Sequence, residues 1–155
     1  MKEREGLRLE IRSIRHGDPL WEKAIAFAEK SSWTAGPYLA KEMRANAFRD
    51  WERVIVALDG ERIAGYCRFA EKDELPDDCG YAPFIGFVFV DEPYRGRRIS
   101  EQMIGEACRC AKELGFPAVY LMSGEHGLYE KYGFEKIGDF RTIFGTMDQL
   151  FQKVL

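Results

Sequence analysis

The sequence predicts a mixed α+β domain built around one sheet. Three observations predict it. The chain has 155 residues with 46% apolar content, which fits one domain over residues 1–155 with an ordinary globular core. Two hydrophobic periodicities alternate along it, one of strand type and one of helix type. Near its middle, residues 85–90 (IGFVFV) are almost wholly apolar, as a central strand covered on both faces requires.

The elements come in order. Leu7, Leu9 and Ile11 alternate with charged residues and read as a half-buried strand. Asp18-Pro19 resembles an N-cap with proline at the first helical position. Leu20, Ala24, Phe27 and Ala28 then mark a helix running to about Lys30. A second helix is expected over residues 37–46, with Leu39 and Met43 on one side. Residues 54–58 form a β-branched run, Asp59-Gly60 is a hairpin turn signal, and residues 63–70 return as the partner strand. The polar stretch 72–80 contains Pro76 and reads as a loop. After the central strand comes a turn (91–98) and a helix over 100–114, with Ser100 as N-cap, Gly115 at its end and Pro117 beyond. Residues 118–122 make a strand and 126–132 a short helix closed by Gly133. Residues 134–140 and 149–155 make two closing strands. The order is β-α-α-β-β-β-α-β-α-β-β, seven strands and four helices.

Composition narrows the function. The formal charge is −3, from 23 basic against 26 acidic residues. That balance offers no broad basic face for nucleic acid or for an anionic membrane. No apolar run reaches the ~20 residues of a membrane span. The segment MKEREGLRLE is charged and does not read as a secretory signal, so a cytoplasmic location is the default expectation. Cys67, Cys79, Cys108 and Cys110 lack the spacing of a zinc site. They are expected to be free, inert thiols, and no metal is expected.

The chemistry concentrates in FIGFVFV, DEPYRGRRIS and EQMIGEACRCAKELGF, residues 84–116: strand, basic turn, helix. The first N–H groups of a helix have no intrahelical partner and face outward with the positive end of the dipole. Arg95, Arg97 and Arg98 surround that end, and Gly96 lets backbone approach a ligand closely. The arrangement can cradle a diphosphate. It is not a P-loop or a dinucleotide fingerprint, because neither pattern occurs.

VDEPYRGRRIS, with the amphipathic helix after it, resembles the acetyl-CoA-binding motif of the GNAT superfamily of N-acetyltransferases. Arg95 matches the motif's first position. Arg98 replaces its middle glycine and Ser100 its final small residue. Downstream, GLYEKYGF (residues 127–134) resembles the family's late helix-to-strand motif. The resemblance covers nearly the whole chain. It implies a mixed sheet of about seven strands, splayed between the fourth and fifth, flanked by four helices, with acyl-CoA wedged into the splay.

The resemblance also implies roles. Backbone N–H groups of Val88 and Val90 would hold the pantetheine and face the oxyanion that acyl transfer creates. Amides of Arg95, Gly96, Arg97, Arg98, Ile99 and Ser100 would take the diphosphate, with Arg98 in a right-handed conformation where the helix starts. Lys131 is a further cofactor contact. Tyr129 would protonate the leaving thiolate. The fourth strand carries no acid, so the base that deprotonates the amine is open: Glu125 and His126 lead, with Glu71, Asp73 and Glu74 also in range. Trp33, Tyr38 and Tyr66 are the expected acceptor contacts. The implied activity is direct acetyl transfer from acetyl-CoA to a primary amine, without an acyl-enzyme, because no cysteine has a paired base. The acceptor is a small-molecule or peptide amine, not nucleic acid, and a homodimer is the family habit. The missing acid keeps open a non-catalytic acyl-CoA sensor on the same fold, and acetylation of a protein amine is the other alternative.

Overall fold

The computed structural model describes residues 9–155. Leu7 lies outside the described residues, so the first strand is seen from Leu9. The elements are β1 (Leu9–Ile14), α1 (Trp21–Lys30), α2 (Gly36–Arg44), β2 (Arg53–Asp59), β3 (Arg62–Ala70), β4 (Phe84–Val90), α3 (Ile99–Glu113), β5 (Ala118–Ser123), α4 (Leu128–Lys131), β6 (Glu135–Arg141) and β7 (Met147–Val154). They form one seven-stranded sheet ordered β1-β2-β3-β4-β5-β7-β6. Antiparallel pairing runs from β1 to β4 and again through β5, β7 and β6. Between the two halves, β4 and β5 are parallel and meet at one register pair, Phe84↔Tyr120. Beyond it the strands part.

Each face of the sheet buries a different layer. Met103, Ile104, Ala107 and Ala111 of α3 pack on Ile55, Ala57, Cys67 and Ile85. On the other face, Trp21, Ala24 and Ala28 of α1 and Leu39 and Met43 of α2 cover Val54, Val56 and Tyr66. β2 thus feeds both layers by simple alternation.

β4 does so through a bulge. Its pairing with β3 shifts between Tyr66 and Arg68, and Phe87 there has φ +51°. The extra residue turns Phe87 to the α1/α2 side beside Phe89, while Ile85, Val88 and Val90 stay with the α3 layer. Such a bulge bends its strand and re-aims the side chains beyond it.

Several boundaries differ from expectation. α1 starts at Trp21, because Asp18 uses its side chain one step earlier, accepting from Leu20 N–H at 2.9 Å. The hairpin turn is Gly60-Glu61, since Asp59 still pairs with Arg62. Ser100 does not cap α3; it lies inside the first turn. Arg98 holds the cap position, and not in a right-handed conformation: its φ is +57° and ψ +33°. The turn needs a left-handed residue before the helix, and the arginine adopts it. The fourth helix shortens to Leu128–Lys131, preceded by Gly127 at φ +86°.

Candidate active site

The parting of β4 from β5 opens a cleft of about 650 Å³. β4 supplies one wall through Ile85 to Val90, and the end of β5 supplies the other through Leu121, Met122 and Ser123. Arg95 and Ser100 close one end at the tip of α3. Ser32 and Trp33, between α1 and α2, and Asp73 and Glu74, after β3, also line it. Glu125, Leu128 and Tyr129 complete it.

Backbone direction is set by pairing. Asp91 donates its N–H to Ala64 of β3 at 2.8 Å. By the two-residue alternation of a strand, the amides of Val90 and Val88 therefore face the gap. Arg95 Nε donates to the Val90 carbonyl at 2.9 Å, and its guanidinium lies 5.7 Å from the Phe89 ring centre. Gly96 (φ +84°) and Arg98 (φ +57°) turn the chain between Arg95 and the first turn of α3, and Arg95 and Ser100 on either side of that turn line the cleft. Arg98 is bound to Glu101 by Nε–H···Oε1 at 2.6 Å, so its charge is already engaged. Ile99 is buried and offers only its backbone. The Ser100 hydroxyl lies 2.8 Å from the Tyr132 hydroxyl, which locks the first turn of α3 onto the end of α4.

Tyr129 is buried among Tyr132, Phe134 and Phe151. Burial, with the nearby Glu125 charge second, pushes its phenol up to about 12. The phenol stays protonated throughout the working range. His126 and Lys131 are exposed and outside the cleft lining. Tyr38 is 68% exposed and also outside it. Tyr66 is buried behind Trp33, its hydroxyl 3.2 Å from Ser31 Oγ. Trp33 itself lines the cleft.

At the other end lies a feature the sequence signalled only by Gly86, an isolated glycine in a strand. A Cβ on Gly86 would stand 2.3 Å from Asp73 Oδ1. The Asp73 carboxylate occupies the space that a β4 side chain would take. Arg68 holds it there: Nη2 donates to Asp73 Oδ1 at 2.9 Å and to the Lys72 carbonyl at 2.7 Å, and Nη1 donates to Glu42 Oε1 at 2.8 Å. Arg68 also lies over the Phe87 ring at 4.8 Å. Burial pushes the Asp73 carboxyl up to about 6 against the pull of Arg68. Burial first, then the Asp73 and Asp148 charges, push Glu74 up to about 7.

Residues 19–134 match the acetyltransferase (GNAT) family, more than half of the chain. The chain belongs to the GNAT family. Curated relatives agree: the chain is 35% identical over 85 residues to the uncharacterized N-acetyltransferase YhbS of Escherichia coli strain K12, an overlap of 52% of this chain and 48% of YhbS. The chain thus spans about half the length of the curated relatives it matches. Among solved structures, the complex of E. coli YhbS with CoA superimposes with a TM-score of 0.68 at 24% identity, over 96% of this chain and 82% of that one. An aminoglycoside 6'-acetyltransferase type Ii gives 0.72 at 15% identity, over 94% and 96%. At these identities the likeness speaks for the GNAT fold alone, and the parted β4 and β5 are part of it. The four cysteines are free thiols. Burial raises Cys67, Cys108 and Cys110 above the ordinary thiol range, which disfavours the nucleophilic thiolate. No helix among the described residues is long and apolar enough to cross a membrane.

Proposed function

We propose that this GNAT protein is an acetyl-CoA-dependent N-acetyltransferase that moves the acetyl group directly from the thioester to the primary amine of a small molecule. The observation that carries this reading is the gap between β4 and β5 with the open tip of α3 at its mouth. A strand edge freed on one side offers amides to an extended pantetheine arm, and a helix N-terminus offers amides to phosphate.

In this reading the amides from Arg95 to Ser100 take the diphosphate, and Arg95 and Arg97 add charge around it. Lys131, exposed on α4, is a further contact for the cofactor. The amides of Val88 and Val90 align the thioester and donate to the tetrahedral oxyanion. Tyr129 holds a proton for the departing sulfur. The Cys67, Cys108 and Cys110 thiols are raised by burial and do not line the cleft, which favours direct attack over an acyl-enzyme.

The test is calorimetry with acetyl-CoA on the whole protein. Binding is expected, and Arg95→Glu should weaken it at least tenfold, because charge reversal repels the phosphates and frees the Val90 carbonyl. Absence of binding by the unmodified protein overturns the proposal.

A further inference from the structure

We infer that the end of the cleft beside Gly86 is the acceptor site for a protonated primary amine, where the Glu74 carboxylate, backed by Asp73 on its Arg68 seat, takes the proton that the attacking nitrogen must lose. The inference rests on the acetyltransferase reading and names the substrate charge and the base within it.

Four observations carry it. Asp73 and Glu74 both line the cleft, so two carboxylates meet there on adjacent residues. Asp73 is spent on Arg68, whose side chain is only 11% exposed. The Glu74 carboxyl has no hydrogen-bond or ion-pair partner among the described residues, and it stands free to meet a ligand. The loop that carries it is fixed on both sides. Leu75 is buried with Phe84, Met122 and Leu150, and Ile143 of the β6–β7 turn donates its N–H to the Glu74 carbonyl at 2.7 Å. A tethered loop can hold a catalytic group as well as a strand can.

Charge selects the ligand. The only cation lining the cleft among the described residues is Arg95, held on Val90. The groups facing Glu74 are Asp73 on its own loop, Asp148 on β7 and Arg68 on β3, with Glu42 of α2 behind Asp73. Arg68 is committed to Asp73 and Glu42. The surplus is negative, so an ammonium is stabilised and an acidic acceptor is repelled. Trp33 supplies an aromatic wall on which the rest of the acceptor can rest.

The protons balance. Glu74 takes one proton from the ammonium and returns it to solvent. The freed lone pair forms the N–C bond to the acetyl carbon, and the C–S bond breaks. The second nitrogen proton leaves the tetrahedral adduct and replaces the one that Tyr129 passes to sulfur. The products are the amide and the free thiol. Desolvation and the two neighbouring carboxylates raise Glu74, which makes it a stronger base than an exposed glutamate and active above about pH 7.

The test uses the whole protein with acetyl-CoA and three acceptors: phenethylamine, putrescine and glutamate. Free CoA is read as the thiol. A cationic amine should be turned over and glutamate should not. kcat/KM should rise with pH through about 7. Glu74→Gln should lower kcat/KM by about 10²-fold or more and abolish that rise, while binding acetyl-CoA as the unmodified protein does. Asp73→Asn should move the rise to lower pH, because a neighbouring negative charge is gone. Glu125→Gln should keep it in place. A Glu74→Gln enzyme with the original rate and pH profile overturns the inference. So does turnover of neither cationic amine by a protein that binds acetyl-CoA. Failure to bind acetyl-CoA at all would instead strike the acetyltransferase reading beneath it.

Discussion

Tyr129 and Glu74 show how the proton affinity of a side chain depends on its burial. The phenol sits among three other aromatic rings and is pushed up to about 12, so in the proposed reaction it has a proton to give to the sulfur. The carboxyl is half in water and is pushed up to about 7, so it can accept one. Tyr129→Phe should therefore lower kcat by about 10²-fold, the low end of acid catalysis, and leave the acetyl-CoA dissociation constant within about twofold, read by steady-state kinetics beside calorimetry. Unchanged kcat would leave Tyr129 a packing residue. GLYEKYGF made the place of Tyr129 at the cleft legible in the sequence. Asp73 and Glu74 were only two acids among several near the third strand, because nothing local to a loop says which way it folds back.

At the scale of elements, the join between β4 and the loop after β3 is the tightest part of the site. The apolar run of β4 announced a strand buried on both faces, but a two-residue period cannot reveal that a bulge at Phe87 puts two successive residues on one side. Nor did the sequence show that Arg98 would turn left-handed at the head of α3, since local propensity favours the opposite. The bulge lies on the cleft wall, and the turned arginine stands between Arg95 and Ser100, which line the cleft. The contact between Gly86 and Asp73 is testable by a double-mutant cycle. Gly86→Ala puts a methyl 2.3 Å from Asp73 Oδ1 and should cost about 1–3 kcal/mol by overpacking. On an Asp73→Gly background the three nearest atoms that the methyl would meet are gone, and most of that cost should vanish. Equal costs in both backgrounds, measured by urea unfolding, would show that the carboxylate does not fill that space.

For the whole molecule, element order, the number of strands and the two covering layers were readable because each rests on hydrophobic period, which is local. The parting of β4 from β5 is not local, and it came only through the resemblance to a family. Beside that parting the protein keeps the Asp73 carboxyl largely buried, and the consequence reaches global stability. Folding raises Asp73 from 3.8 to about 6 and Glu74 from 4.5 to about 7. A carboxyl with a raised folded value binds its proton more tightly in the native state, so its contribution to stability is full below the unfolded value and is lost as pH rises through the folded one. Glu106 and Glu101 work the other way. Arg109 and Arg98 hold their carboxyls below the usual range, so protonating them at low pH costs stability. The protein should therefore gain stability as pH falls from about 8 to about 5, then lose it below about 4 as the surface carboxylates titrate. Asp73, nearly all buried, dominates the gain with on the order of 2 kcal/mol, and Glu74 adds less because water screens it. For a chain of this size that corresponds to a rise in Tm of roughly 4–8 °C, which scanning calorimetry without ligand can read. Asp73→Asn should flatten the rise while leaving the acid limb below about pH 4 in place. A Tm that falls steadily from neutral pH downward would mean that the two carboxyls are solvated in the native state.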